Sequence, residues 1–243
     1  MKLKTSITHI TPEGHEIIRG KNLDELIATK TFTESIVLIL LGKLPTEKEL
    51  KMWNALFVAA IDHGPGTASA LTARISASAK NNLHTSLAAG LLGLGERHGL
   101  AIEGAMKFFL EKINDENIAD TLKKMKEQKI YAPGFGHKVL TVDTRVEALF
   151  TVAKEQGIFG KYCEFALKVH EELNKISSRP LPLNIDGGMA AILCDLGIEP
   201  ALSKGIFMIA RVPGLVAHIA EEIKSGEGLH RLEDGEIEFV EEK

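Results

Sequence analysis

From Thr31 onward the chain is cut into apolar segments of helical length, each opened by a capping residue and closed by glycine or proline, which leaves little room for a sheet. Thr31 with Glu34, and Thr46 with Glu49, are capping-box patterns, in which a hydroxyl and an acid three residues on satisfy each other's orphan backbone N–H groups. The first run ends at Gly42. The second opens behind Pro45 and carries Leu50, Trp53, Leu56, Phe57, Ala60 and Ile61 on a broad apolar face. Strand signals are confined to the two ends. Residues 5–18 place β-branched side chains around Pro12, Glu13 and Gly14 and predict a two-stranded ribbon, and a strand-like run, Ile237 to Val240, follows the turn signal Asp234, Gly235.

Helices are expected over 67–79, 84–94, 144–156 and 161–175. A helix from Pro200 is broken by Pro213 and Gly214, and a last one spans 215–224, for about ten helices in all and an all-α fold class. With 243 residues and 44% apolar content, the chain can bury one large domain or two modest ones. A net charge of −4 offers no field for nucleic acid or an anionic membrane surface. Cys163 and Cys194 lack the spacing of a zinc site or redox pair and read as buried free thiols. The N-terminus has no export signal, and no apolar run approaches the roughly 20 residues of a bilayer span, so a cytoplasmic protein is expected.

The densest chemistry lies in Tyr131 to Arg145, YAPGFGHKVLTVDTR. Gly134 and Gly136 let backbone approach a ligand, His137 stands at the end of that loop, and Asp143 caps a helix that carries Arg145. Three further polar points interrupt apolar helices: Asp62 with His63, Arg97 with His98, and Asp186 before Gly187 and Gly188. Histidines that exchange protons near neutrality, and a carboxylate held in apolar surroundings, suit proton abstraction beside a carbonyl. They suit a metal less well, since no pair stands at i, i+4. Each keeps a plainer reading: His63 as a helix C-cap, His98 as a turn residue, Asp186 as the cap of the helix that follows. Arg74, in a small-residue helix, requires a buried acceptor and is either a structural ion pair or a ligand clamp. The lysines between 123 and 129 read as a solvated face.

These points, in this order, resemble the citrate synthase superfamily, and within it the branch of citryl-CoA lyase and the C-terminal domain of ATP-citrate lyase. The resemblance runs through IIRGKNLDELI, GKLPT, DHGPGTASA, LLGLGERHG, PGFGHKVLTVDTR and LNIDGGMAAIL. It implies a large helical domain from 1–98 and 187–243, and a smaller one from 99–186 that closes over the site. It implies that His98 steadies the enol of the acetyl thioester, that Asp186 moves the proton at its methyl carbon, and that His137 serves the oxygen that is carbonyl in oxaloacetate and hydroxyl in the citryl group. His63, Arg145 and Arg211 match groups on the dicarboxylate. Arg231 matches an arginine lent by a second subunit, although Leu232 follows it where the family has proline. Gly134, Phe135, Gly136 and Lys138 lie where the family receives coenzyme A.

The implied activity is cleavage of citryl-CoA to acetyl-CoA and oxaloacetate, with coenzyme A thioesters as substrates and neither metal nor nucleotide hydrolysis. The alternative is citrate synthesis from the same two products, which the retained His98 favours, and a binding homologue without chemistry is a distant third. A homodimer or an oligomer of dimers is implied, with a separate citryl-CoA synthetase as a further partner and no nucleic acid or membrane.

Overall fold

The computed structural model describes residues 2–137 and 140–241. A three-stranded antiparallel sheet opens the chain. β1 (Thr8–Ile10) pairs with β2 (Glu16–Ile18) in the register Thr8↔Ile18, and β2 pairs with β3 (Lys21–Asn22). The expected two-stranded ribbon therefore gains a third strand, because Arg19 and Gly20, both at positive φ, fold the chain back within two residues.

Eleven α-helices follow among the described residues: α1 (Leu23–Thr29), α2 (Phe32–Leu41), α3 (Glu47–Ala59), α4 (Ala68–Ser78), α5 (Leu83–Leu92), α6 (Ile102–Lys112), α7 (Ile118–Glu127), α8 (Thr144–Gln156), α9 (Lys161–Ile176), α10 (Ile185–Asp195) and α11 (Pro200–Ser225). Both capping boxes form, with Thr31 and Thr46 each bonded reciprocally to the acid three residues on. Gly42 then stops α2 in the left-handed conformation.

The core is built around α10. From Gly187 to Cys194 every residue of that helix is buried, which matches its nearly all-apolar and glycine composition. It is wrapped by α6, α8 and α9, while α3 packs on both α8 and α11. Phe109, Met106, Ile102, Met189, Ile192 and Phe207 belong to this single cluster. A satellite cluster joins Ala70, Ala73 and Ala77 of α4 to Leu215 and Ile219 of α11, where small side chains bring the helices close.

Two expectations need correction. The helix from Pro200 does not break at Pro213 but runs 26 residues to Ser225 with the proline inside. Proline removes one intrahelical hydrogen bond, yet the buried positions Ile206, Phe207, Ala210, Arg211, Gly214, Leu215, Ile219 and Glu222 keep helical spacing straight across it. Burial of that continuous stripe outweighs the local penalty. Gly214 serves approach and not termination: a Cβ there would lie 2.4 Å from the Ile61 carbonyl. The second correction is at the C-terminus, where Asp234–Glu236 forms a 3₁₀ turn but residues 237–241 form no strand.

Candidate active site

A cleft of about 1070 Å³ runs between the loops that precede α4, α6, α8 and α10. This lies at the upper end of the roughly 300–1,000 Å³ usual for small-molecule sites, and it fits an elongated ligand. Among its lining residues are His63, His98, His137, Arg145, Asp186 and Arg211, which come from separate segments of the chain.

Each is positioned by local structure. His98 sits in a tight turn in which Gly95 and His98 exchange backbone hydrogen bonds at 2.9 and 2.8 Å. Gly99 follows at φ +77°, and a Cβ on it would meet the Phe207 ring at 2.7 Å. The His98 Nε2 lies 2.9 Å from the buried Ser69 hydroxyl at the start of α4, which fixes the plane of the ring. His63 follows the end of α3, whose C-cap is Ala60, so the plainer reading of His63 as a cap does not hold. Arg145 Nη1 donates to His63 Nδ1 at 3.3 Å. Because a guanidinium only donates, Nδ1 carries no proton and the ring N–H is on Nε2. Burial, followed by the charges of Arg145, Arg211 and His137, holds the His63 pKa below its ordinary value.

The loop carrying His137 runs beside residues 182–184, with Gly136 N donating to the Pro182 carbonyl at 2.7 Å and Asn184 N to the Gly134 carbonyl at 3.0 Å. His137 Nδ1 accepts the Leu140 N–H at 2.9 Å, which puts its ring proton on Nε2. The His63 and His137 rings meet edge to face at 5.8 Å. The freedom of Gly134 is used for protein packing: it is buried, and what presses on it is the backbone of Gly187. Phe135 and Gly136 line the cleft, though the Gly136 N–H is already engaged.

Asp186 occupies the first turn of α10, but the cap is Asn184, whose side chain accepts the Gly187 N–H at 3.2 Å. The Asp186 carboxylate is thus left over. Its Oδ1 is shut off from solvent without a hydrogen-bond partner. Burial drives its pKa up to about 6 against the opposing pull of Arg145 and Arg211. Arg211 is itself 2% exposed and donates Nε to the Ala60 carbonyl at 2.8 Å.

Other expected positions fall elsewhere. Arg231 is exposed on the C-terminal segment beside Glu233 and is not in the cleft of its own chain. Lys138 lies outside the described residues. Arg74 is resolved as an ion pair, bonded to Glu222 at 2.8 Å and to Glu221 at 2.7 Å. Cys163 and Cys194 are buried and free. The lysines between 123 and 129 are exposed, as a solvated face requires, and two of them, Lys126 and Lys129, also line the cleft with Arg179, Leu122, Met125, Ile130 and Leu181. Amphipathic spacing alone could not reveal this, because the facing wall is built by the end of α9, about fifty residues on. Among the described residues, no group of three or more His, Cys, Asp or Glu is arranged to hold a metal, and no helix is long and apolar enough to cross a membrane.

A mostly helical fold places three histidines, four arginines and a buried aspartate oxygen without a partner in one cleft. Residues 51–233 match the family described as citrate synthase, C-terminal domain. The chain belongs to the citrate synthase family. It is similar to the citryl-CoA lyase of Hydrogenobacter thermophilus, at 38% identity and a TM-score of 0.90, covering 99% of this chain and 95% of that one. It is also similar to the ATP citrate lyase of Methanosaeta concilii in complex with (3S)-citryl-CoA, at 25% identity and a TM-score of 0.88, covering all of this chain and 42% of that one. Beta chain protein 1 of the Arabidopsis thaliana ATP-citrate synthase is 30% identical over 189 residues, which are 70% of this chain and 31% of that protein. The chain thus spans about a third of the length of the curated relatives it matches.

Proposed function

We propose that this chain cleaves citryl-CoA to acetyl-CoA and oxaloacetate. The observation that carries the reading is the Asp186 carboxyl, its Oδ1 shut off from solvent without a hydrogen-bond partner and its pKa raised by burial to about 6, in one cleft with His98, His137, Arg145 and Arg211. The likeness to a citryl-CoA lyase over 95% of that protein's length supports it.

In the cleavage the hydroxyl proton leaves, the C–O bond becomes the oxaloacetate carbonyl, and the pair from the broken C–C bond goes into the enolate of the thioester. Protonated Asp186 then delivers a proton to the enolate carbon, giving acetyl-CoA. His98 hydrogen-bonds the thioester oxygen, where negative charge gathers. Arg145 and Arg211 pair with the dicarboxylate, with His63 Nε2–H as a further donor. His137 receives the hydroxyl proton on Nε2 once its own proton resides on Nδ1, a tautomer for which the Leu140 contact must open. The outer half of the cleft takes the coenzyme A portion, its phosphates near Lys126, Lys129 and Arg179 and its apolar arm over Leu122 and Met125. The smaller domain expected over 99–186 also has to carry α10, which α6, α8 and α9 wrap, and its closure over the site excludes water from the thioester.

Condensation to citrate is the second reading, and one observation favours it: His137 rests with Nε2–H, the donor that a ketone carbonyl requires. The purified protein, given citryl-CoA without ATP, is expected to release oxaloacetate. No release there, together with thiol release from acetyl-CoA plus oxaloacetate, refutes the lyase in favour of the synthase. Asp186→Ala should lose about 100-fold or more in turnover, the usual worth of general acid–base catalysis.

Arg231 completes the site of a second copy. Its exposure outside its own cleft supports this, as do the exposed apolar side chains Leu229, Leu232, Ile237, Phe239 and Val240 around it. An ATP-driven ligation is the class of reaction that supplies citryl-CoA, and a separate citryl-CoA synthetase is the further partner in this reading. The setting is cytoplasmic, in keeping with two free buried thiols.

A further inference from the structure

Asp143 does more than cap a helix. The carboxylate is 3% exposed, and both oxygens accept two hydrogen bonds. Oδ1 accepts from the backbone N–H of Arg145 at 3.2 Å and from its Nε at 2.8 Å. Oδ2 accepts from Arg145 Nη2 at 2.7 Å and from the backbone N–H of Ile185 at 3.0 Å. The backbone bond to Arg145 is the cap. The other three are not required for it.

Two of the three guanidinium nitrogens are thereby held in a fork-to-fork pair, which fixes the plane of the group. The edge left for a ligand is Nη1, near His63, with the outer hydrogen of Nη2. Ile185 is the first residue of α10 and the neighbour of Asp186, so the same carboxylate fastens the start of that helix to the arginine. The fourth bond spans 42 residues of sequence and gives the orphan first N–H of α10 an acceptor that lies on the arginine's own partner. The charged and titratable groups around this point are Arg145 on α8, Arg211 on α11, His63 after α3, Asp186 on α10 and Glu96 after α5.

Building on the function proposed above, we infer that Asp143 is a positioning residue that aims the outer edge of Arg145 at the substrate's carboxylate and sets its placement relative to Asp186. Asparagine cannot replace it, since either orientation of the amide turns an NH₂ toward two donors. The arginine then tilts and its charge goes unmatched. The negative neighbour of Asp186 is also lost, so Asp186 ionises at lower pH.

The test is a double-mutant cycle with Asp143→Asn, Arg145→Gln and both together, read by oxaloacetate calorimetry, citryl-CoA kinetics against pH, and Tm. Each single change should raise the oxaloacetate Kd and the citryl-CoA KM by about tenfold or more, the scale of a lost charged hydrogen bond. The double variant should be no worse than Arg145→Gln alone. In Asp143→Asn the fall of cleavage with rising pH should begin at lower pH. A lower Tm with KM, Kd and pH profile unchanged reduces Asp143 to a cap and overturns the inference, as do single losses that multiply in the double variant. Should Asp143→Asn fail to fold, Asp143→Ser in formate replaces it: the small carboxylate should restore oxaloacetate affinity, and no response to formate overturns the inference. A wild-type protein that binds oxaloacetate but does not cleave citryl-CoA refutes the lyase reading alone, with the cycle still read on affinity. A wild-type protein that binds neither overturns both.

Discussion

Gly134 and Gly187 cross so closely that a Cβ on Gly134 would lie 2.6 Å from the Gly187 Cα, and a Cβ on Gly187 would lie 2.4 Å from the Gly134 carbonyl oxygen. One glycine belongs to the loop that ends in His137, and the other follows Asp186 in α10. The contact sets the spacing of two groups at the centre of the cleft.

Gly187→Ala should therefore separate loop and helix, where no flexible side chain can give way. Overpacking of this kind costs about 1–3 kcal/mol, and each kcal/mol lowers Tm by roughly 2–4 °C in a chain of this size. A thermal melt with the citryl-CoA assay checks both consequences. Unchanged Tm and turnover would mean that the backbones part without cost.

Asp186 ties stability to pH. Its folded pKa of about 6 lies above the ordinary 3.8, so its relative contribution is most favourable below about pH 4 and is lost as pH rises through 6. The ionised carboxylate thus strains the free protein at neutral pH. Asp186→Asn should melt higher than wild type at pH 8, by an amount equivalent to at most about 3 kcal/mol, and the gap should shrink toward pH 5. A gap that does not vary with pH would argue against a raised pKa.

Ser69 is buried and holds His98 Nε2 at 2.9 Å. Replacing it with alanine frees the ring to rotate without touching the carboxylate clamps. A fall in kcat of about tenfold is expected, the scale of one hydrogen bond lost from a charge-bearing group, with KM for citryl-CoA little changed. Equal effects on KM and kcat would place Ser69 in ground-state binding.

Lys126 and Lys129 are exposed and line the cleft, in the segment that leads to His137. Lys126→Ala with Lys129→Ala should raise KM for the thioester by about threefold to tenfold, since exposed ion pairs are individually weak. The effect should fade with added salt, and kcat should hold. A change in kcat without a change in KM would detach these lysines from the coenzyme A arm.

Much of the fold is written locally. Thr31 with Glu34 and Thr46 with Glu49 satisfy their own backbone groups within one turn, and Gly42 supplies the left-handed stop, so those helices start and end where short-range chemistry puts them. Pro213 failed as a local signal for the same reason: its penalty is a short-range term, and the burial of α11 on four other helices is larger. The cleft was legible as residue types at His63, His98, His137, Arg145 and Asp186, whereas Arg211 entered only with the family resemblance. The place of Lys126 and Lys129 beside the cleft was not legible, because whether a solvated lysine also borders a cleft depends on which wall stands opposite.

Periodicity and capping residues dictate a helical chain with a short N-terminal sheet, and the residue types at the interruptions dictate acid–base chemistry. Only the folded chain decides that Arg145 reaches His63 across 82 residues, that Asp143 joins Arg145 to the start of α10, and that Asn184 is the cap while Asp186 Oδ1 is buried without a partner. Backbone preferences act over three or four residues. Burial and hydrogen-bond pairing depend on what distant segments bring alongside.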